Sequence, residues 1–186
     1  FFNVGQTNTH NLNFSNGGEF GTVRVSLSYQ DHEAVVPNSD FQQYTVNLGS
    51  ELNISEKLTS SISFSYINFN RKNSPSLGDD NNASFGKGIL YSWPRSYKEI
   101  ERELNINPDG TRYTYDGQYP FSFTPSNLWW NTENQNTFLT RNKFIGSLGL
   151  QFTPTNWLLM SVKTGMDFNL NEFETRFNPT DLSGTN

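Results

Sequence analysis

The feature that most constrains this chain is a strict period of two. In "SSISFSYINFN", residues 60–70, Ile62, Phe64 and Tyr66 fall on one side of an extended ribbon, and Ser61, Ser63 and Ser65 fall on the other. A chain that alternates in this way folds as a β-strand with one greasy face and one polar face. The same alternation sets Val23, Val25, Leu27 and Tyr29 against Thr22, Arg24, Ser26 and Ser28, and sets Tyr44, Val46, Leu48, Leu52 and Ile54 against Thr45, Asn47, Gly49, Glu51 and Asn53. It returns as Phe144, Leu148, Leu150 and Phe152 against Lys143, Ser147 and Gln151, then as Leu158, Met160, Val162, Met166 and Phe168 against Ser161, Lys163, Asp167 and Asn169. A weaker first strand carries His10, Leu12 and Phe14 opposite Thr9, Asn11, Asn13 and Ser15.

This predicts an all-β chain of about six strands, near 7–15, 22–30, 41–54, 58–70, 137–153 and 156–173. The connections at 16–21, 55–57 and 154–156 are short, whereas 31–40 and 71–136 are long. In an antiparallel meander, that order gathers the short turns at one end and the long loops at the other, the arrangement of transmembrane β-barrels. Several strands also exceed the five or six residues usual in globular sheets and the ~9–11 that cross a bilayer. The expectation is therefore an antiparallel transmembrane β-barrel with its aromatic face in lipid, its hydroxyl face on a polar lumen, and a long extracellular loop at 71–136. Six strands cannot close such a barrel, whose minimum is about eight, so this chain would be one sector of a larger barrel and an internal piece of a longer polypeptide. The competing reading is a soluble β-sandwich, with the apolar row as its core. Trp157 and Leu159 fall on the polar side and disturb the face assignment near that turn.

Composition narrows the function. The mean hydropathy of −0.66 resembles that of a water-soluble protein, but 15% aromatic residues against 17% charged ones belong to a chain that packs rings rather than to a disordered one. A net charge of −5 with no Lys/Arg cluster gives no footprint for nucleic acid. The absence of cysteine excludes disulfides, thiolate metal sites and cysteine nucleophiles. No apolar run is long enough for a membrane helix.

No catalytic set is legible, and no enzyme is expected. His10 and His32 are isolated, and the carboxylates Glu99, Glu101 and Glu103 read as the solvated side of a short helix at 95–104. Asp79, Asp80 and Asp109 sit in turn-forming sequence without a full calcium-loop spacing, so they read first as turn residues; no cofactor is expected, and a structural calcium in the loops is the weaker alternative. Two sets remain. Trp93, Tyr97, Tyr113, Tyr115, Trp129 and Trp130 in the long loop are candidates for stacking on a ligand such as a sugar ring, or else form the loop's own small core. Arg24, Glu51, Lys143, Lys163 and Asp167 are candidate lumen charges that would hold a plug or tune passage in a barrel, and would be plain surface in a sandwich.

The stretch from His10 to Tyr66, with Ser15-Asn16-Gly17-Gly18, Val23-Arg24-Val25-Ser26-Leu27-Ser28-Tyr29 and Ala34-Val35-Val36-Pro37-Asn38-Ser39, resembles the early barrel of the SusC/RagA-like TonB-linked outer-membrane transporters of Bacteroidota. The later "SNLWWNTENQNTFLTRNKFIGSLGLQFTPTNWLLMSVKTGMDF" is similar to the same family's loop, strand and turn. Ala34 stands where the family commonly has Gly, Gln43 near a common Arg, and Leu128-Trp129 in place of Pro-Tyr. The resemblance implies a 22-stranded barrel in the bacterial outer membrane, filled by an N-terminal plug that engages TonB. It also implies a SusD-like surface lipoprotein as lid and import of oligosaccharides or peptides. A family member serving as a structural or scaffolding subunit of a larger outer-membrane assembly is the alternative. Plug and TonB contacts fall outside this sequence.

Overall fold

The computed structural model describes residues 2–73, 106–111, 128–134 and 136–176. These form six strands: β1 (Gln6–Gly18), β2 (Gly21–Glu33), β3 (Asp40–Ser55), β4 (Leu58–Lys72), β5 (Asn136–Thr155) and β6 (Leu158–Arg176), with one short helix, α1 (Leu128–Asn134), before β5. Each strand pairs antiparallel with its neighbour in sequence, giving one open sheet in the order β1-β2-β3-β4-β5-β6. The strands run 13, 13, 16, 15, 20 and 19 residues and extend past the expected bounds at nearly every end. The reason is physical: polar residues flanking the alternating cores, such as Asp31, His32 and Glu33 on β2 and Arg71 and Lys72 on β4, still complete the hydrogen-bond ladder although they carry no hydrophobic signal.

Two-residue turns join β1 to β2, β3 to β4 and β5 to β6 at one end of the sheet, and the long connections lie at the other. The short turns are laced together. Asn53 N donates to the Phe20 carbonyl and Thr153 N to that of Lys57, and one-residue register shifts at Asn53/Ser55 and Phe152/Thr155 let the strands reverse there. Gly21 makes the first of these turns possible. Its φ is +130°, and an added methyl group would collide with the Glu51 carbonyl on β3.

The opposite end is held by a polar clasp. The segment "VVPNS" (35–39) folds inward, with Val36 and Ser39 buried and Asn38 in the left-handed region at φ 59° that asparagine tolerates. Asn38 Nδ2 donates to the Thr132 carbonyl of α1 (2.6 Å) and to Asn136 Oδ1 (3.1 Å), Lys72 Nζ donates to Asn38 Oδ1, and Asn73 Nδ2 donates to the Asn38 carbonyl (2.9 Å). Three segments distant in sequence, the 35–39 loop, the end of β4 and the α1–β5 junction, meet at one residue. The buried apolar side chains among those described are Val36, Pro37, Trp130 and Leu139, all toward the long-loop end, so no core lies beneath the rest of the sheet.

Candidate functional site

Strand register decides what each face carries. One face presents Phe14, Val25, Leu48, Phe64 and Met166 in one row across the sheet, and Leu12, Leu27, Val46, Tyr66, Phe144 and Phe168 in the next. Leu12, Phe14, Leu27, Phe64, Val162, Met166 and Phe168 are all open to the surroundings, with Val162 71% exposed and Phe14 64%. The apolar zone ends abruptly toward the long loops. His10, Tyr29 and Tyr44 form its border with stacked and tilted rings. The Tyr66 hydroxyl reaches out of the zone to Asn142 (2.8 Å), beside a chain from Asn70 to Asn68 to Asn142. Beyond that border the same face is polar: Asn8, Asp31, Gln42, Asn70, Thr140 and Glu172 share a row.

The ten steps from Leu58 to Asn68 cover ~34 Å of strand at ~3.4 Å per residue, or ~26 Å of height at a tilt of ~40°. Six strands at ~4.8 Å spacing make the band ~29 Å wide across the strands, which over ~34 Å of strand length is on the order of 1000 Å². That exceeds the largest apolar patch of a typical soluble monomer, ~300–600 Å².

The other face is built from small and polar groups. Ser63 and Ser147 share a hydrogen bond (2.7 Å), Ser65 donates to Asn47 (2.7 Å), and Gly49, Gly149 and Gly165 leave room between them. Arg24, Ser26, Asn47, Gly49, Ser63, Ser65 and Ile145 help line a shallow recess of about 280 Å³. All five expected lumen charges lie on this face. Lys143 and Asp167 pair at 3.2 Å, whereas Arg24, Glu51 and Lys163 make no ion pair among the described residues. Leu159 lies on this face too, as the sequence pattern indicated, whereas Trp157, expected on the same side of the strand, falls in the β5–β6 turn and stands 82% exposed.

Of the candidate stacking rings, Trp93, Tyr97, Tyr113 and Tyr115 lie outside the described residues, as do the 95–104 helix, Asp79 and Asp80. Trp129 falls in α1, but its side chain also lies outside them. Trp130 is fully buried, so it acts as a core residue of the long-loop end rather than as a stacking surface. Asp109 accepts from Thr111 N (3.0 Å) and Oγ1 (2.6 Å), which holds its carboxyl below the usual carboxylate range and makes it a turn former. Among the described residues no group of three His, Cys, Asp or Glu side chains comes together, and no helix is long and apolar enough to cross a membrane.

A second cluster was not anticipated. Past Tyr66 the alternation inverts: on β4 the small-residue face continues as Ile67, Phe69 and Arg71 while the other becomes Asn68, Asn70 and Lys72. The phase change is visible in "YINFNRK" (66–72), but its meaning depends on which strands stand alongside. There Phe41, Phe69 and His32 pack ring to ring, with Arg141 over Phe69.

Compared with protein-family models the chain finds no match, and no curated protein matches it.

Proposed function

We propose that this sheet is one sector of a transmembrane β-barrel in a bacterial outer membrane, belonging to a SusC/RagA-like, TonB-dependent importer of oligosaccharides or peptides. The observation that carries the reading is the bordered apolar band. A single-layer sheet leaves Leu12, Phe14, Val162, Met166 and Phe168 open on one face. The band's height of ~26 Å matches the ~25 Å apolar belt of outer-membrane barrels, and tyrosines sit at its border with their hydroxyls turned outward. In hydrocarbon those side chains are at no disadvantage; in water they would drive association.

Meander order and short turns all at one end support the same reading. So does the small-residue face, whose serines and glycines suit the concave wall of a water-filled or plugged lumen. Closure comes from further strands of the same polypeptide flanking β1 and β6. An open edge in lipid would leave on the order of ten backbone groups unpaired at several kcal/mol each. Bond chemistry has no part in this reading. The protein moves a solute, energised through a plug and TonB outside this sequence, beneath a SusD-like lid.

The test uses the full-length protein from its native membranes. Extraction only with detergent, co-purification of a surface lipoprotein, and proton-motive-force-dependent accumulation of a labelled oligosaccharide or peptide are the expected results. A stable complex with assembly or secretion machinery and no uptake defect would transfer the barrel to a scaffolding role. A water-soluble monomer would end the reading.

A further inference from the structure

At the long-loop end the small-residue face turns aromatic and basic. Register sets His32, Phe41, Arg71, Leu139 and Phe173 in one row, and Gln43, Phe69, Arg141 and Asn171 in the row below. His32 stacks on Phe41 at 4.7 Å, and Phe41 meets Phe69 at 5.3 Å. The Arg141 guanidinium lies 6.0 Å from the Phe69 centroid, and its Nε donates to Asn171 Oδ1 at 2.9 Å. That single bond fixes the fork and leaves both terminal nitrogens without a partner among the described residues. Arg71 and Arg141 are diagonal neighbours on β4 and β5, roughly 7–8 Å apart by backbone. Neither makes an ion pair among the described residues, and the nearest carboxylate on this face, Asp167, is engaged by Lys143.

Two guanidinium groups with no ion-pair partner among the described residues, beside a floor of phenyl rings, form a charge pattern that a ligand completes. We infer that this patch binds an acidic saccharide, a glycan bearing uronate carboxylates. Each guanidinium takes a carboxylate through a two-pronged hydrogen bond, and the C–H faces of the sugar rings lie on Phe69 and Phe41. The side chains of Gln43 and Asn171 offer neutral amides, each able to donate and accept, as neighbouring hydroxyl groups require. An acidic peptide would satisfy the cations and the amides but would lay no C–H sugar face on Phe69 and Phe41.

The inference rests on the importer reading and narrows its substrate class. It is tested by titrating the detergent-solubilised full-length protein with short oligogalacturonides, neutral malto-oligosaccharides of equal length, and an oligoglutamate peptide. The oligogalacturonide is expected to bind in preference to the other two, with affinity falling as salt rises. Arg141→Gln and Arg71→Gln should each weaken it at least tenfold, and Arg141→Lys, which keeps the charge but loses the fork, should weaken it by less. Heat-modifiable migration on gels reports folding of each variant, and wild-type selectivity and salt dependence stand whether or not a variant folds. Equal binding of the neutral sugar, tighter binding of the peptide, no binding of the acidic sugar, or folded arginine variants with unchanged affinity would each overturn the inference. A detergent-requiring barrel blind to acidic sugars sinks this inference alone; a water-soluble protein sinks the importer reading.

Discussion

Phe64→Lys is the sharpest probe of what meets the apolar face. Phe64 lies six residue steps above Leu58 and four below Asn68, so it sits ~16 Å from one border of the band and ~10 Å from the other at ~3.4 Å per step and ~40° tilt. This is close to the midplane, where a lysine on the lipid face of a barrel costs ~2–4 kcal/mol. At ~2.8 kcal/mol the folding equilibrium falls about a hundredfold, since each 1.4 kcal/mol is a factor of ten. Ser63→Lys, one residue away, points to the small-residue face and should cost only the ~0.5–1.5 kcal/mol of its lost hydrogen bond to Ser147. Tyr44→Lys at the border of the band should cost ~0–1 kcal/mol, because the charge reaches the headgroups.

The assay is urea-titrated folding of the full-length protein into liposomes, read by heat-modifiable gel migration. Phe64→Trp in lipid brominated near the chain ends should show quenched fluorescence, which Ser63→Trp should escape. A protein–protein core would also resist a lysine at position 64, but it would grade the cost by packing rather than by height and would exclude the bromines. Equal cost for Phe64→Lys and Ser63→Lys, or an unquenched Trp at 64, would refute the reasoning.

Residues 1–186 expressed alone should aggregate without detergent, as followed by sedimentation, because the exposed band and both sheet edges lack their neighbours. Gly21→Ala should destabilise the short-turn end by about 1–3 kcal/mol from its φ alone, with the clash at Glu51 adding to it, seen as faster hydrogen exchange at Asn53. Asn38→Ala should loosen the long-loop end by ~1.5–4.5 kcal/mol for three side-chain hydrogen bonds at ~0.5–1.5 each, measured by limited proteolysis near α1. Asn38→Gly, which keeps the backbone angle but not the bonds, should not restore it. Because Thr111 holds Asp109 below the usual carboxylate range, that turn's stabilisation is complete above the unfolded carboxylate value and is lost as pH falls through the folded one. Thr111 amide protection, corrected for intrinsic exchange, should fall in that acid window.

Much of this architecture is already written in local pattern. Serines alternating with Ile62, Phe64 and Tyr66 set the two faces of β4, and the order of short and long connections sets a meander with its turns sorted by end. A period of two is a property of single strands, so it survives without knowledge of neighbours. Even the mixed polarity at Trp157 and Leu159 was legible, because a turn ends the alternation on both sides.

What the tertiary structure alone decided depends on register. Arg141 is an isolated cation in "LTRNKF" until β4 pairs with β5 and places it over Phe69. Asn38 looks like an ordinary turn residue until Thr132, Asn136, Lys72 and Asn73 converge on it. Trp130 looks like a stacking ring until the folded chain buries it. Each outcome is set by residues far apart in the chain, and for Arg141 a one-step slip in pairing would move it to the other face. Composition and periodicity therefore specify the ribbon and its two environments, whereas the sites on it exist only once neighbouring ribbons are in register.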